Sequence, residues 1–238
     1  MNYSLEGKKI IIAGGSSGIG LATARLLAGV KASVTVTGRD TGKLDSIRKR
    51  YREIQAVQLD SSDRPALDRF FAGVGKIDHL IISSGGHKGL GSFKDLNLDE
   101  LKAGFEEKYF SQLQTLQSSL SAIKEDGSIV LTGAITSRAK LPGTSGIGAI
   151  NGALEIMVPI LAKELKPIRI NAVSPGAVDT PWWDFLPPDV KKQALEGYAQ
   201  QIPVGRVAQP EEIADAILFL IENEYMTGCV LECGGGIG

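Results

Sequence analysis

The chain has 238 residues, of which 43% are hydrophobic and 22% charged, and its formal net charge at pH 7 is -1. A chain of this length can bury the core of one α/β domain without disulfides or metals. Nucleic-acid and anionic-membrane partners require a concentrated basic surface, so the near-neutral charge argues against both.

Cysteine content and the N-terminal residues indicate a metal-free, cytoplasmic protein. Cys229 and Cys233 lie four residues apart, and no Cys or His cluster completes a set of metal ligands, so we predict idle thiols. The first residues lead into an apolar strand without the basic and apolar regions of a targeting signal. We also expect no membrane span, because no apolar run approaches the ~18–20 residues that one requires.

Short apolar runs alternate with longer amphipathic segments along the chain. Strands are predicted at 9–13, 33–37, 55–59, 79–83, 128–132, 168–173 and 229–232, and helices at 19–29, 41–52, 65–73, 98–124 (as one or two helices), 147–165 and 211–222. Short buried strands separated by helices are typical of a parallel sheet covered on both faces. With right-handed crossovers this pattern predicts one doubly wound, Rossmann-like α/β/α domain over residues 1–238.

One stretch, residues 179–209, interrupts this alternation. It is rich in proline and opens with Trp182, Trp183 and Phe185. Long irregular segments in compact domains often cover a site, so we predict a substrate or lid loop over a partly apolar small molecule. Ordinary packing of the aromatic side chains is an equal alternative.

A glycine-rich turn joins the first predicted strand to the first predicted helix, with the sequence Gly14-Gly15-Ser16-Ser17-Gly18-Ile19-Gly20. In a dinucleotide-binding turn, Gly14 permits the tight bend, Gly18 lets the backbone approach a pyrophosphate, and Gly20 allows close helix–strand packing. The helix N-terminus then presents unpaired N–H groups to the phosphates. A purely structural turn is the alternative, but the strand–turn–helix context favours nucleotide binding.

The end of the second predicted strand is expected to read the adenosine ribose. Its sequence is Thr37-Gly38-Arg39-Asp40. A guanidinium pairs with phosphate through a planar fork, so Arg39 favours NADP(H) over NAD(H). Asp40 keeps NAD(H) possible, and a solvated surface arginine is the alternative interpretation.

The chain resembles the short-chain dehydrogenase/reductase family over essentially its whole length. Four segments carry the resemblance to the family's cofactor site: the turn Ala13-Gly14-x-x-x-Gly18-Ile19-Gly20, the pair Asp60-Ser61, the segment Ile82-Ser83-Ser84-Gly85, and the segment Ser174-Pro175-Gly176-Ala177-Val178-Asp179-Thr180-Pro181. The stretch from Pro203 to Leu220 is also similar to the family's C-terminal region. The resemblance implies that Asp60 binds adenine and that the Pro175–Gly176 segment, with Val178 and Thr180, cradles the nicotinamide and its phosphate.

The family's catalytic residues do not match. Its members use a Tyr as proton donor, a Lys four residues later that lowers the Tyr pKa, and a Ser that binds the substrate oxygen. The alignment places Ile147 at the Tyr position, Asn151 at the Lys position and Ala134 at the Ser position. An Asn on the preceding helix of the family corresponds to Lys108.

Relative to the family's pattern, Lys and Asn have therefore exchanged places: Lys108 is on the earlier helix and Asn151 is on the later one. We predict that Lys108 returns a positive charge to the cavity and acts as an acid, while Asn151 keeps a hydrogen bond to the ribose. The alternative is that Lys108 reaches solvent from a surface helix. Further polar candidates near the site are Thr132, Thr136, Ser137, Ser145 and His87.

Three functions remain open. The favoured one is an NADP(H)-dependent oxidoreductase for a carbonyl or alcohol substrate with a non-standard proton source. The second is a catalytically inactive NADP(H)-binding sensor or oligomer partner, and the third is a non-redox reaction in the same pocket. The resemblance also implies a homo-oligomer, a dimer or tetramer assembled through the helices at 101–124 and 147–165.

Overall fold

The computed structural model describes residues 5–238; residues 1–4, which open the segment inspected for a targeting signal, lie outside the described residues. The strands are β1 (Lys9–Ala13), β2 (Ser33–Gly38), β3 (Ile54–Gln58), β4 (Ile77–Ile82), β5 (Ile123–Thr132), β6 (Arg169–Pro175) and β7 (Val230–Cys233). The α-helices are α1 (Gly18–Gly29), α2 (Thr41–Arg50), α3 (Arg64–Val74), α4 (Leu98–Gly104), α5 (Ser111–Ser119), α6 (Ser145–Glu164), α7 (Pro188–Gln201) and α8 (Pro210–Glu222).

Within residues 5–238, seven strands form one parallel sheet in the order β3-β2-β1-β4-β5-β6-β7. The chain moves outward from β1 to β3 and then returns to place β4 on the other side of β1. This reversal is the switch point at which doubly wound sheets bind ligands, just beyond the carboxyl ends of the strands. The predicted doubly wound α/β fold is confirmed.

Alternating residues of the strands supply two cores. Ile10 and Ile12 of β1 pack with α1, α2 and α8 on one face of the sheet. Ile11 and Ala13 pack with α3, α5 and α6 on the other. Since strand side chains alternate between faces, an apolar run buried on both sides is what this arrangement requires.

The long predicted helix at 98–124 is three consecutive helical segments. Helix α4 continues into a π-helical segment, Phe105–Phe110, which leads into α5. The helix ends at Ser119 instead of 124, because β5 begins at Ile123 and pairs there with Ile77. π-helical turns are rare and often occur at functional sites.

Residues 179–209 are not the irregular loop predicted from the prolines. Pro181–Phe185 form a short 3₁₀ turn, and α7 occupies 188–201. Proline is favoured in the first turn of a helix, where its missing N–H is not needed, so Pro188 starts α7.

The expectation that no segment is long and apolar enough to span a membrane is wrong for helix α6. Within residues 5–238 it is the one helix that is long and apolar enough to cross a membrane. However, its buried face carries Asn151 and Glu155 and packs on the sheet, and the core helix of a soluble protein passes the same test of length and composition. One such helix is weak evidence for a span.

Candidate active site

A cavity of about 830 Å³ lies at the carboxyl edge of the sheet and extends from the glycine-rich turn to the segment after β5. Most of the predicted cofactor residues line it, namely Gly14, Ser16, Ser17, Gly18, Ile19, Arg39, Asp60, Ser61, Ser83, Ser84, Gly85, Pro175, Gly176, Val178 and Thr180. The two exceptions are Gly20 and Asn151. The residues predicted to bind the cofactor therefore lie together along one side of the cavity.

The glycine-rich turn forms a cradle that side chains would fill. Gly14 has a φ of +78°, and a Cβ there would lie 2.6 Å from the backbone nitrogen of Ser84. Gly18 has a φ of +52°, and a Cβ there would lie 3.3 Å from the side chain of Thr180. Gly20 instead packs the helix on the turn, since its Cβ would overlap the carbonyl oxygen of Gly14.

The N-terminus of α1 opens into this cradle. Ser17 precedes the helix in an extended conformation, and its side chain makes no capping hydrogen bond. The first amides of a helix have no partner within it, so those of Gly18 and Ile19 are available to an anion. These residues therefore fit the pyrophosphate of a dinucleotide.

Two cationic side chains lie at the far end of the cavity. Arg39 and Lys43 both line it and are both exposed. Asp40 also lines the cavity, and its Oδ1 accepts a hydrogen bond of 3.0 Å from the backbone of Lys43 and so caps α2. Burial raises the pKa of Asp60, but hydrogen bonds from Ser62 and the charge of Arg39 together lower it below its usual value.

The opposite end of the cavity is where the family's catalytic residues are missing. Ala134 and Ile147 line it, as the alignment predicts. Asn151 does not: its side chain is fully buried, and Nδ2 donates to Thr136 Oγ1 and to Ile147 O, both at 2.9 Å. The ribose contact predicted for Asn151 is therefore corrected, because no part of this residue reaches the cavity.

Lys108 lies half-buried in the cavity wall instead of extending from the outer surface of its helix. It belongs to the π-helical segment, lies against Gly85, and donates from Nζ to the carbonyl oxygen of Gly133 at 3.1 Å. Burial lowers the pKa of Lys108 to about 8, even though the charge of Glu155 opposes this shift. An amine with such a pKa exchanges protons near neutral pH.

Glu155 is a buried carboxylate beside the cavity that sequence reasoning missed, and its charge acts on Lys108. It is 6% exposed and accepts hydrogen bonds from Ser174 Oγ at 2.6 Å and Ser137 Oγ at 2.7 Å. Arg138 Nε lies 3.5 Å from the same carboxylate. The sequence did indicate its position, because Glu155 follows Asn151 by one helical turn and so lies on the same, buried face of α6.

Aromatic side chains close the outer part of the cavity. The rings of His87 and Phe185 stack at 4.0 Å and 5°, and the ring of Trp182 meets Phe185 edge-on at 5.4 Å. Trp182 Nε1 donates to the carbonyl oxygen of Gly86 at 3.1 Å, which ties the 3₁₀ turn to the loop after β4. The segment predicted as a lid therefore contributes an apolar wall.

The remaining polar candidates differ in their surroundings. Thr132 Oγ1 and Ser84 Oγ are buried without hydrogen-bond partners, and both residues line the cavity. Ser145 is exposed outside the cavity, and the hydroxyl of Ser137 is used by Glu155. Within residues 5–238, no group of three or more His, Cys, Asp or Glu could hold a metal ion.

A helix N-terminus at the switch point of a doubly wound sheet, facing a glycine cradle, defines a nucleotide-binding α/β protein. A family model described as enoyl-(acyl carrier protein) reductase matches residues 13–238. The chain belongs to the short-chain dehydrogenase/reductase family, a family of oxidoreductases.

Three proteins are similar to this chain over nearly its whole length. The 3-oxoacyl-(acyl-carrier-protein) reductase of Thermotoga maritima is 32% identical over 248 residues, covering 98% of both chains. The crystal structure of a small-chain dehydrogenase in complex with NADPH is 29% identical with a TM-score of 0.82, covering 98% of this chain and 99% of that one. A short-chain oxidoreductase from Pseudomonas aeruginosa PAO1, described as containing an atypical catalytic center, is 26% identical with a TM-score of 0.88, covering 99% of each.

Proposed function

We propose that the protein is an NADP(H)-dependent oxidoreductase that interconverts a carbonyl and an alcohol on a small, partly apolar molecule, with Lys108 as the proton source. The observation that carries this proposal is the position of Lys108. Its amine lines the cavity that also contains the glycine cradle, and its pKa of about 8 suits proton transfer.

The preference for NADP(H) is argued from charge. Arg39 and Lys43 bring two cations to the end of the cavity beyond the glycine cradle. The carboxylate that would instead bind a ribose 2′-hydroxyl belongs to Asp40, and it is engaged as the cap of α2. The two cations outweigh the single negative charge of Asp40, so this end of the cavity favours a 2′-phosphate.

The chain's own residues then divide the work of reduction. Bound NADPH supplies hydride to the carbonyl carbon, which is chemistry of the cofactor. Lys108 gives a proton to the carbonyl oxygen and recovers it from solvent. Ile147, Trp182 and Phe185 exclude water and surround an apolar substrate. Two relatives support this interpretation: one structure contains NADPH, and another is described as having an atypical catalytic center.

A non-catalytic role is the second candidate. Ala134 and Ile147 put apolar side chains where the family carries its hydroxyl groups, as an NADP(H) sensor or partner subunit would allow. Such a protein would bind NADPH without consuming it.

We further propose a cytoplasmic homo-oligomer, dimer or tetramer. Phe110, Ile156 and Ile160 are exposed apolar side chains on the two helical stretches through which the family assembles. A surface of this kind is typical of an interface between copies.

The test of the catalytic proposal is NADPH oxidation with a panel of aldehydes and ketones. Lys108→Met should lower kcat/KM at least about 100-fold, as expected for loss of a general acid, with an unchanged Kd for NADPH. Lys102→Met is the matched control, because Lys102 is an exposed lysine on α4 that pairs with Asp99. Unchanged turnover by Lys108→Met would refute the role of Lys108. Tight NADPH binding with no turnover of any substrate would favour the non-catalytic candidate.

A further inference from the structure

The family binds the substrate oxygen with a hydroxyl group that the aligned position of this chain does not provide. Ala134 stands where the family has its Ser, yet three threonines line this part of the cavity. Thr144 Oγ1 donates to Leu141 O at 2.7 Å, so its proton is already used. Thr132 Oγ1 is buried from the cavity surface. Thr136, two residues after Ala134, is the remaining candidate.

The amide of Asn151 determines the direction of the Thr136 hydroxyl. Asn151 Nδ2 lies 2.9 Å from Ile147 O, and a carbonyl oxygen can only accept a hydrogen bond. The amide nitrogen, and not Oδ1, must therefore face this side. Its second N–H lies 2.9 Å from Thr136 Oγ1. Thr136 must accept from Asn151, which leaves its own O–H free to donate.

The backbone around Thr136 is fixed by close packing. Ile135–Ser137 form one 3₁₀ turn after β5, and this turn lies directly on α6. A Cβ at Gly148 would lie only 2.7 Å from the carbonyl oxygen of Thr136, so glycine is needed for the approach. Ser137, the next residue, is held by Glu155. The hydroxyl is therefore presented from a rigid support.

We propose that Thr136 is the hydroxyl that binds the substrate oxygen, and that Asn151 is the positioning residue that turns this hydroxyl toward the cavity. The proposal rests on the proposed carbonyl chemistry of the site. It explains why the buried Asn151 stands at the position where the family has a lysine: its amide orients Thr136 and does not touch the ribose.

Thr136 keeps its own proton during the reaction. The carbonyl carbon receives hydride from NADPH, which becomes NADP⁺, and the oxygen receives a proton from Lys108. As hydride adds, negative charge grows on the oxygen, and the hydrogen bond from Thr136 strengthens. A donor of this kind stabilises the transition state more than the bound substrate.

The kinetic test compares three threonine variants. Thr136→Val should lower kcat/KM about 100-fold with an unchanged Kd for NADPH, while Thr136→Ser should keep most of the activity. Thr144→Val is the control, because it removes a cavity hydroxyl whose proton is engaged locally. Thr136→Val with wild-type activity would overturn the proposal and leave the proposed function standing.

A second pair of variants tests Asn151. Asn151→Asp replaces the donor by an acceptor, which should turn the Thr136 hydroxyl away from the cavity. Its loss of kcat/KM should match that of Thr136→Val, and the double variant should lose no more. Should Asn151→Asp fail to fold, Asn151→Ala frees the hydroxyl to rotate, and a roughly tenfold loss is expected. Additive losses would contradict the positioning role.

A binding measurement separates this proposal from turnover. Acetophenone labelled with ¹³C at its carbonyl is bound in the presence of NADP⁺, where no reduction occurs, and its chemical shift is recorded. A hydrogen bond should move the resonance downfield in the wild type and in Thr144→Val, but not in Thr136→Val. A shift that persists in Thr136→Val, or no saturable binding to the wild type, overturns the proposal. A Thr136-dependent shift in a protein that reduces no substrate would refute the proposed function alone.

Discussion

Lys108 Nζ donates to the carbonyl oxygen of Gly133 at 3.1 Å, which joins the π-helical segment to the first residue after β5. Gly133 also lies close to the buried carboxylate of Glu155, since a Cβ at Gly133 would lie 2.9 Å from Glu155 Oε1. Lys108 and Glu155 thus approach one short segment at the carboxyl edge of the sheet, and the charge of Glu155 acts on the amine from there. Burial lowers the pKa of Lys108 and the charge of Glu155 raises it, so these two effects together set the pH range in which Lys108 can transfer a proton.

The rate of reduction should depend on the protonation of Lys108. Burial lowers its pKa to about 8, and the protonated form is the acid. For carbonyl reduction, kcat/KM should be constant below pH 8 and fall tenfold per pH unit above it, whereas alcohol oxidation should rise with pH. Glu155→Gln removes the charge that raises the pKa of Lys108, so the decline should move to lower pH. A pH profile that is the same in wild type and Lys108→Met would contradict this assignment.

Arg39 should select the cofactor. Loss of a charge-assisted contact to a 2′-phosphate costs about 1.5–3 kcal/mol, so Arg39→Ala should weaken NADPH binding roughly 10- to 100-fold. The Kd for NADH should change little, because NADH lacks this phosphate. Arg52→Ala serves as control, since Arg52 is exposed and lies outside the cavity lining. Equal effects on both cofactors would show that Arg39 does not read the phosphate.

Two glycines of α1 should respond differently to alanine. Gly20→Ala places a methyl group against the carbonyl oxygen of Gly14 and should distort the cradle, lowering both the melting temperature and NADPH affinity. Gly29→Ala meets no atom within 4 Å and should leave both unchanged or raise stability slightly, because alanine favours helix. Thermal unfolding with and without NADPH measures the two effects. A tolerated Gly20→Ala would be inconsistent with the close packing.

His79 should make the fold acid-sensitive. Its Nδ1 lies 2.8 Å from Ser128 Oγ, and burial lowers its pKa to about 4, against an opposing effect of Asp78. Because the folded pKa lies below the unfolded value near 6.5, this contribution is complete above pH 6.5 and is lost as pH falls toward 4. Urea unfolding should show a loss of about 2 kcal/mol from pH 7 to pH 5. His79→Asn should remove most of this slope, whereas His87→Asn should retain it.

The exposed face of α6 should control assembly. Ile156 is 66% exposed and Ile160 49% exposed, and their spacing puts them on one side of the helix. The double variant Ile156→Glu/Ile160→Glu should convert an oligomer to a monomer in light-scattering chromatography. Val190→Glu, on α7, places the same charge on another exposed apolar residue and should not. A wild-type monomer would refute the proposed oligomer.

The sheet could be predicted from sequence because its signals are local. Each strand is a short apolar run, and Gly14 and Gly18 are required by backbone conformations that other residues avoid. The prolines near α7 were misleading, since Pro188 begins a helix as readily as it ends one. The position of a proline can be read from the sequence, but whether the proline begins or ends a helix depends on the residues that follow it.

The end of the cavity near Lys108 was harder to predict, because its contacts join distant parts of the chain. Alignment placed Asn151 at a ribose-binding position, yet its side chain turns to Thr136 and Ile147 O. Glu155 and Lys108 come from separate helices, and the fold alone brings both of them to Gly133. Residue spacing along one helix cannot reveal such pairs.

The π-helical turn at Phe105–Phe110 makes the length of this segment as important as its residue types. Successive residues of an α-helix point about 100° apart, so deleting one residue of the segment before Lys108 should turn its side chain away from the cavity wall without changing the residue itself. A relative with the same lysine but an ordinary helix would present it to a different environment. The position of the Lys108 amine therefore depends on the helical conformation of this segment. Relatives should be aligned by helical register before their residues are compared.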